Sequence, residues 1–141
     1  MTTQKNRYSV VEMGTWESLG NREYKGRQGK FFAGEDLGLT GCEISMNRLP
    51  AGTGAPFVHA HKKNEELYLV IGGTGTFFVD GDEFPIREGS MVRVAPAGER
   101  ALQAGDQDLY YICIQAQEGS LTQATFDDGI RLETETSWIK K

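Results

Sequence analysis

The sequence predicts an all-β domain, a sandwich or barrel, on three observations. Short apolar runs recur at intervals of about ten residues, glycine or proline separates them, and no run carries the 3.6-residue stripe of an amphipathic helix. The 18 glycines among 141 residues exceed the average usage of about 7%, which implies many turns. A chain of this length falls within the size of one domain, so residues 1–141 are expected to fold as one cooperative unit.

The elements follow in order. Residues 8–39, which include Tyr8, Val10, Val11 and Trp16, are expected to supply edge strands or a cover. Residues 40–49 alternate loosely between apolar and polar and stop at Pro50-Ala51-Gly52, as a strand closed by a turn does. Residues 66–71 form a β-prone run, Gly72 to Gly75 interrupt it as a turn, and residues 76–79 resume. Asp80-Gly81 then predicts a two-residue hairpin, because a type I′ turn needs positive φ at both central positions. Residues 83–86 and 91–94 read as further strands, the second stopped by Ala95-Pro96-Ala97-Gly98. Residues 109–116 are nearly all apolar and suit a strand covered on both sides. Beyond residue 116, Phe126, Ile130, Leu132, Trp138 and Ile139 are too many apolar groups for a free tail, so this segment is expected to pack on the barrel or on a second subunit.

Several function classes are excluded by composition. A net charge of −5 argues against nucleic acid as a partner, since phosphate binding needs a clustered cationic surface. Residues 1–7 are polar and lack the apolar stretch of a secretory signal, and no run approaches the roughly 20 apolar residues that span a bilayer. A cytoplasmic protein without a membrane partner is expected. Cys42 and Cys113 show no C-x-x-C spacing and read as buried apolar fillers rather than a disulfide or a thiolate zinc site.

The chemistry concentrates in one place. The only two histidines, His59 and His61, are separated by one residue, a spacing that random placement gives roughly one time in seventy, so chance is a poor explanation. On extended backbone, residues i and i+2 share a face about 6.6 Å apart, and two imidazoles can converge on one ion. Lys62, Lys63 and Asn64 turn the chain, and Glu66 shares the alternation of Tyr68 and Val70 on the next strand. Two imidazoles and one carboxylate form a donor set that suits a divalent metal such as iron, manganese, nickel or zinc and leaves positions open for substrate or water.

With these residues in view, the chain resembles the cupin superfamily. The family's first motif, G-x5-H-x-H-x3,4-E-x6-G, is matched by His59, His61, Glu66 and Gly73; Thr53 stands where the motif places its first glycine, between Gly52 and Gly54. The resemblance implies a β-barrel of two antiparallel sheets in jelly-roll style over about residues 40–116, a metal held inside it, and a homodimer formed through sheet extension or swapped terminal strands.

The second motif, G-x5-P-x-G-x2-H-x3-N, departs from the family. Counted from Gly89, Arg100 takes the place of its histidine; anchored on Pro96, Ala101 does, and neither residue is a ligand. The first register is preferred because Leu102 then points inward beside Arg100. An inward guanidinium lowers metal affinity or pairs with Glu66, and it also offers a fork for an anionic ligand. Tyr68 and Phe57 are further candidates for the pocket wall, and one of Tyr110 and Tyr111 faces inside. Two functions follow: a metal-dependent cupin acting on a small polar or acidic molecule, or a non-catalytic small-ligand-binding cupin with weakened metal, in which Arg100 orients the anion.

Overall fold

The structure, a computed structural model, describes residues 2–4, 7–123 and 127–141, so Phe126 lies outside the described residues. The first third of the chain forms small elements. β1 (Thr2–Gln4) pairs with β2 (Ser9–Val11), a 3-10 turn spans Glu17–Asn21, β3 (Glu23–Tyr24) and β4 (Arg27–Gln28) make a hairpin, and β5 (Lys30–Phe32) precedes a one-turn helix, α1 (Gly34–Leu37). Longer strands follow: β6 (Glu43–Leu49), β7 (Asn64–Gly72), β8 (Thr74–Val79), β9 (Asp82–Arg87), β10 (Met91–Val94), β11 (Arg100–Ala104) and β12 (Leu109–Gln117). No helix among the described residues is long and apolar enough to cross a membrane.

Two antiparallel sheets face each other, one in the order β10-β7-β12-β6-β5 and the other β11-β8-β9. Strand alternation explains the core. In β7, Glu66, Tyr68 and Val70 are buried while their neighbours are less so, and β12 and β10 set Cys113 and Val92 opposite Tyr68. Directly opposed residues share a face. Tyr68 and Val70 of the first sheet therefore meet Phe77, Ile86 and Leu102 of the second, with the Tyr68 and Phe77 rings edge to face at 5.0 Å. Pro85, which has no N–H to give a ladder, sits on β9 at the rim of its sheet.

Two corners set the connections. Asp80 and Gly81 have φ of 49° and 90°, the positive values that the two-residue turn between β8 and β9 demands. At Gly73, with φ of 83°, the chain leaves one sheet for the other, and a Cβ there would lie 2.0 Å from the Asp108 carbonyl oxygen. The interruption expected from Gly72 to Gly75 narrows to this residue, because Gly72 pairs with Tyr110 and Gly75 with Ile86.

Other expectations need correction. The first barrel strand begins at Glu43 rather than at residue 40. β12 is buried on one face through Leu109, Tyr111 and Cys113, but Tyr110, Ile112 and Ile114 on the other face are half-buried, with Trp16 edge-on to Tyr110. Cys42 is exposed, since it lies between the bend at residues 40–41 and the start of β6, whereas Cys113 is buried. Among the described residues of the C-terminal segment, Ile130, Leu132, Trp138 and Ile139 are exposed and make no strand. Residues 8–39 do provide cover: Leu19 is fully buried and β5 extends the larger sheet.

Candidate metal centre

His59 and His61 lie on an extended connection ahead of β7 rather than in a full strand. The connection runs against β11: His59 N–H donates to the Arg100 carbonyl at 3.1 Å, Arg100 N–H returns a bond to the His59 carbonyl at 3.0 Å, and His61 N–H reaches the Pro96 carbonyl at 2.8 Å. Extended backbone keeps the two-residue alternation that a strand would have supplied, so both rings turn the same way, with centroids 5.2 Å apart. The chain then bends at Lys62 and Lys63, and β7 carries Glu66 inward.

The three side chains meet. His59 Nε2 lies 3.6 Å from Glu66 Oε1, His61 Nε2 lies 3.2 Å from Oε2, and one donor atom from each residue falls within 4.8 Å of the others. Glu66 is held from behind as well: the Tyr68 hydroxyl donates to Oε1 at 2.7 Å and the Cys113 thiol to Oε2 at 3.2 Å. Burial works to raise the Glu66 carboxyl, but hydrogen bonding with the His59 imidazole, Tyr68 and Cys113 and the electrostatic influence of the neighbouring His61 side chain outweigh it and bring its pKa down to about 2. The same burial beside a carboxylate pushes the Tyr68 phenol and the Cys113 thiol up, so both keep their protons and serve as donors.

Arg100 is wholly buried on β11, where Arg100, Leu102 and Ala104 alternate inward. Its Nε stands 3.5 Å from Glu66 Oε1 and its Nη2 donates to the Ala95 carbonyl at 3.0 Å, while Nε and Nη1 have no hydrogen-bond partner. The guanidinium does not line the cavity beside the cluster. Packed behind Glu66, its charge is directed at the carboxylate, the pairing that the sequence offered beside a fork for an anionic ligand. Ala101, the residue of the other register, is half-buried and carries no donor.

A cavity of about 360 Å³ opens onto the cluster, within the usual range for small-molecule sites. Tyr68 and Phe57 line it, Phe57 at the half-exposed mouth with its ring edge-on to His59. Tyr111 is the tyrosine that faces inside. Sequence reasoning missed Lys25, Arg27 and Lys30, which the cover brings to the same cavity. The register explains Lys30: it pairs with Asn47 of β6, a buried inward residue, and so takes the inward face itself.

The donor set fits a divalent metal. His61 Nε2 is buried beside Glu66 without an aligned hydrogen bond, as an imidazole nitrogen reserved for a ligand would be, and the two nitrogens and one oxygen are those that zinc, iron or manganese accept.

Fold and site define a class, and comparison with known proteins agrees. The family model described as the cupin domain matches residues 45–115. A cupin protein from Bacteroides fragilis is 38% identical with a TM-score of 0.72, the alignment covering 79% of this chain and 95% of that one. A predicted oxalate decarboxylase from Thermotoga maritima is 23% identical at a TM-score of 0.50 over 52% of this chain and 64% of its own. A protein from Acidithiobacillus ferrooxidans, provisionally described as a sugar phosphate isomerase, is 24% identical at 0.57 over 62% and 58%. No curated protein matches. The chain belongs to the cupin superfamily, and its fold is the all-β cupin barrel.

Proposed function

We propose that this cupin holds one divalent metal through His59, His61 and Glu66 and acts on a small acidic molecule admitted to the adjoining cavity. The observation that carries the reading is the convergence of the three donor atoms within 4.8 Å at a cavity wall. A metal bound there supplies Lewis-acid polarisation of a substrate oxygen. The chain's own residues do the rest. Tyr68 and Cys113 fix the Glu66 carboxylate in one orientation, Arg100 supplies a permanent charge behind it, and Tyr24, Phe32 and Phe57 exclude water from the wall.

Arg100 favours a second reading, a ligand-binding cupin with weakened metal, because a guanidinium stands where the family's second motif places a histidine. One measurement separates the two. Elemental analysis followed by titration with iron(II), manganese, nickel and zinc is expected to give one ion per chain, lost in His61→Ala and in Glu66→Gln. Absence of saturable uptake would refute the enzyme reading and leave the binder. We propose also that two copies associate in solution, a view supported by the exposed Leu121, Ile130, Leu132, Trp138 and Ile139 of the C-terminal segment.

A further inference from the structure

We propose that the cavity receives a small carboxylic acid with a flat, apolar stem, and that Arg27 and Lys30 bind its carboxylate. The inference rests on the reading of this cavity as the working site and names what it takes. Lys25, Arg27 and Lys30 line the cavity, and Glu66 is the one carboxylate among the described residues of its wall. Glu66 is already engaged by Tyr68, Cys113 and the two imidazoles. Among the described residues no carboxylate lies within ion-pair distance of Lys25, Arg27 or Lys30, whereas Arg48, Arg93 and Lys141 elsewhere each have an acidic partner. The wall therefore carries cations that the protein itself does not neutralise.

Their setting makes them receptors. Lys30 crosses to the inward face opposite Asn47, and its Nζ donates one hydrogen bond to Asn47 Oδ1 at 2.5 Å, leaving two of the ammonium's three N–H donors. Burial lowers the Lys30 pKa and Arg27 adds to the effect, while Cys113 and Glu66 oppose it without cancelling it, as expected of an ammonium that is being desolvated without a full counter-charge. Arg27 opens β4 just after the Lys25-Gly26 turn, whose φ values of 48° and 81° fold the hairpin tightly. Its guanidinium lies over the Phe57 ring, 4.6 Å from the centroid, so the ring takes one face and the edge N–H donors remain for an acceptor in the guanidinium plane.

The remaining wall argues for carboxylate over phosphate. Tyr24, Phe32, Phe57 and Leu102 are flat or apolar, and the described lining contains no helix terminus to gather backbone N–H groups around a tetrahedral dianion. A planar fork and one point charge match a planar anion.

Calorimetric titration of the full chain with benzoate, benzamide and phenyl phosphate holds the stem constant and varies the head. Benzoate is expected to bind saturably and at least tenfold more tightly than benzamide. Arg27→Gln and Lys30→Gln should each weaken benzoate about tenfold and leave benzamide unchanged, the loss of one charge-assisted hydrogen bond. Arg27 is exposed on the hairpin, so its variant tests the idea even if Lys30→Gln folds poorly. Benzoate no tighter than benzamide, insensitivity to Arg27→Gln, or tighter binding of phenyl phosphate would each overturn the proposal. Metal titration of the same proteins keeps the two readings apart: metal uptake without benzoate selectivity sinks this inference alone, and Arg27-dependent benzoate binding without metal uptake sinks the metal reading alone.

Discussion

A guanidinium fully enclosed 3.5 Å from Glu66 changes what the three donors can hold. Its charge is permanent, so it competes with any cation for the same carboxylate. Replacing it should reverse the balance: Arg100→His removes the competing charge and restores a potential nitrogen donor, and apparent affinity for zinc or nickel is expected to rise at least tenfold by calorimetry. No gain would mean that Arg100 does not limit the site. The inward turn of Arg100 and of Glu66 was legible because strand alternation carries side-chain direction from neighbours such as Leu102 and Tyr68. The histidines were legible for a different reason, since two residues of one rare type at that spacing need a common cause. Lys30 and Arg27 were not, because Lys30 owes its direction to Asn47, a partner 17 residues away that no local pattern announces.

Among the elements, the passage from β7 to β8 tolerates least. Gly73→Ala places a methyl group against the Asp108 carbonyl at a positive φ, and a loss of at least about 2 kcal/mol is expected in urea denaturation. Asp108 itself ties the start of β12 to the loop after β6, accepting from Ala51 N–H at 2.8 Å and from Arg48 Nη2 at 2.8 Å. The Ala51 amide, then the Arg48 guanidinium, holds the Asp108 carboxyl below its ordinary value. Such a group stabilises the fold above the usual aspartate range, and the contribution disappears as pH falls through the depressed folded-state value. Asp108→Asn should thus melt lower than the parent at neutral pH and converge with it once the pH has fallen below the depressed folded-state value, where both side chains are uncharged. The hairpin at Asp80-Gly81 could be read from two residues because its backbone conformation nearly dictates them. The small strands of the cover could not, since two or three residues are too few to show a period.

For the whole molecule, glycine richness and regular turn spacing identified an all-β sandwich or barrel, and the first motif, through the resemblance it carries, narrowed this to a barrel with the cluster inside. For the C-terminal segment the sequence left two surfaces open, its own barrel or a second subunit, because apolar content says that a surface wants covering without saying which surface does it. Trp138 is 79% exposed and Ile130 82% exposed. Sedimentation is expected to show the full chain as a dimer and a chain lacking residues 127–141 as a monomer with its barrel intact by circular dichroism; a truncated chain that still dimerises would move the interface to the barrel.

The reciprocal amides of His59 and Arg100 give the site a gauge of its own. They hang the ligand-bearing connection from β11, so each brief opening of that connection bares both to solvent at once. Deuterium should therefore enter them more slowly when zinc clamps the imidazole, while the amides of β9 at the distant rim keep their pace. A backbone clock of this kind reports occupancy without any assay of turnover.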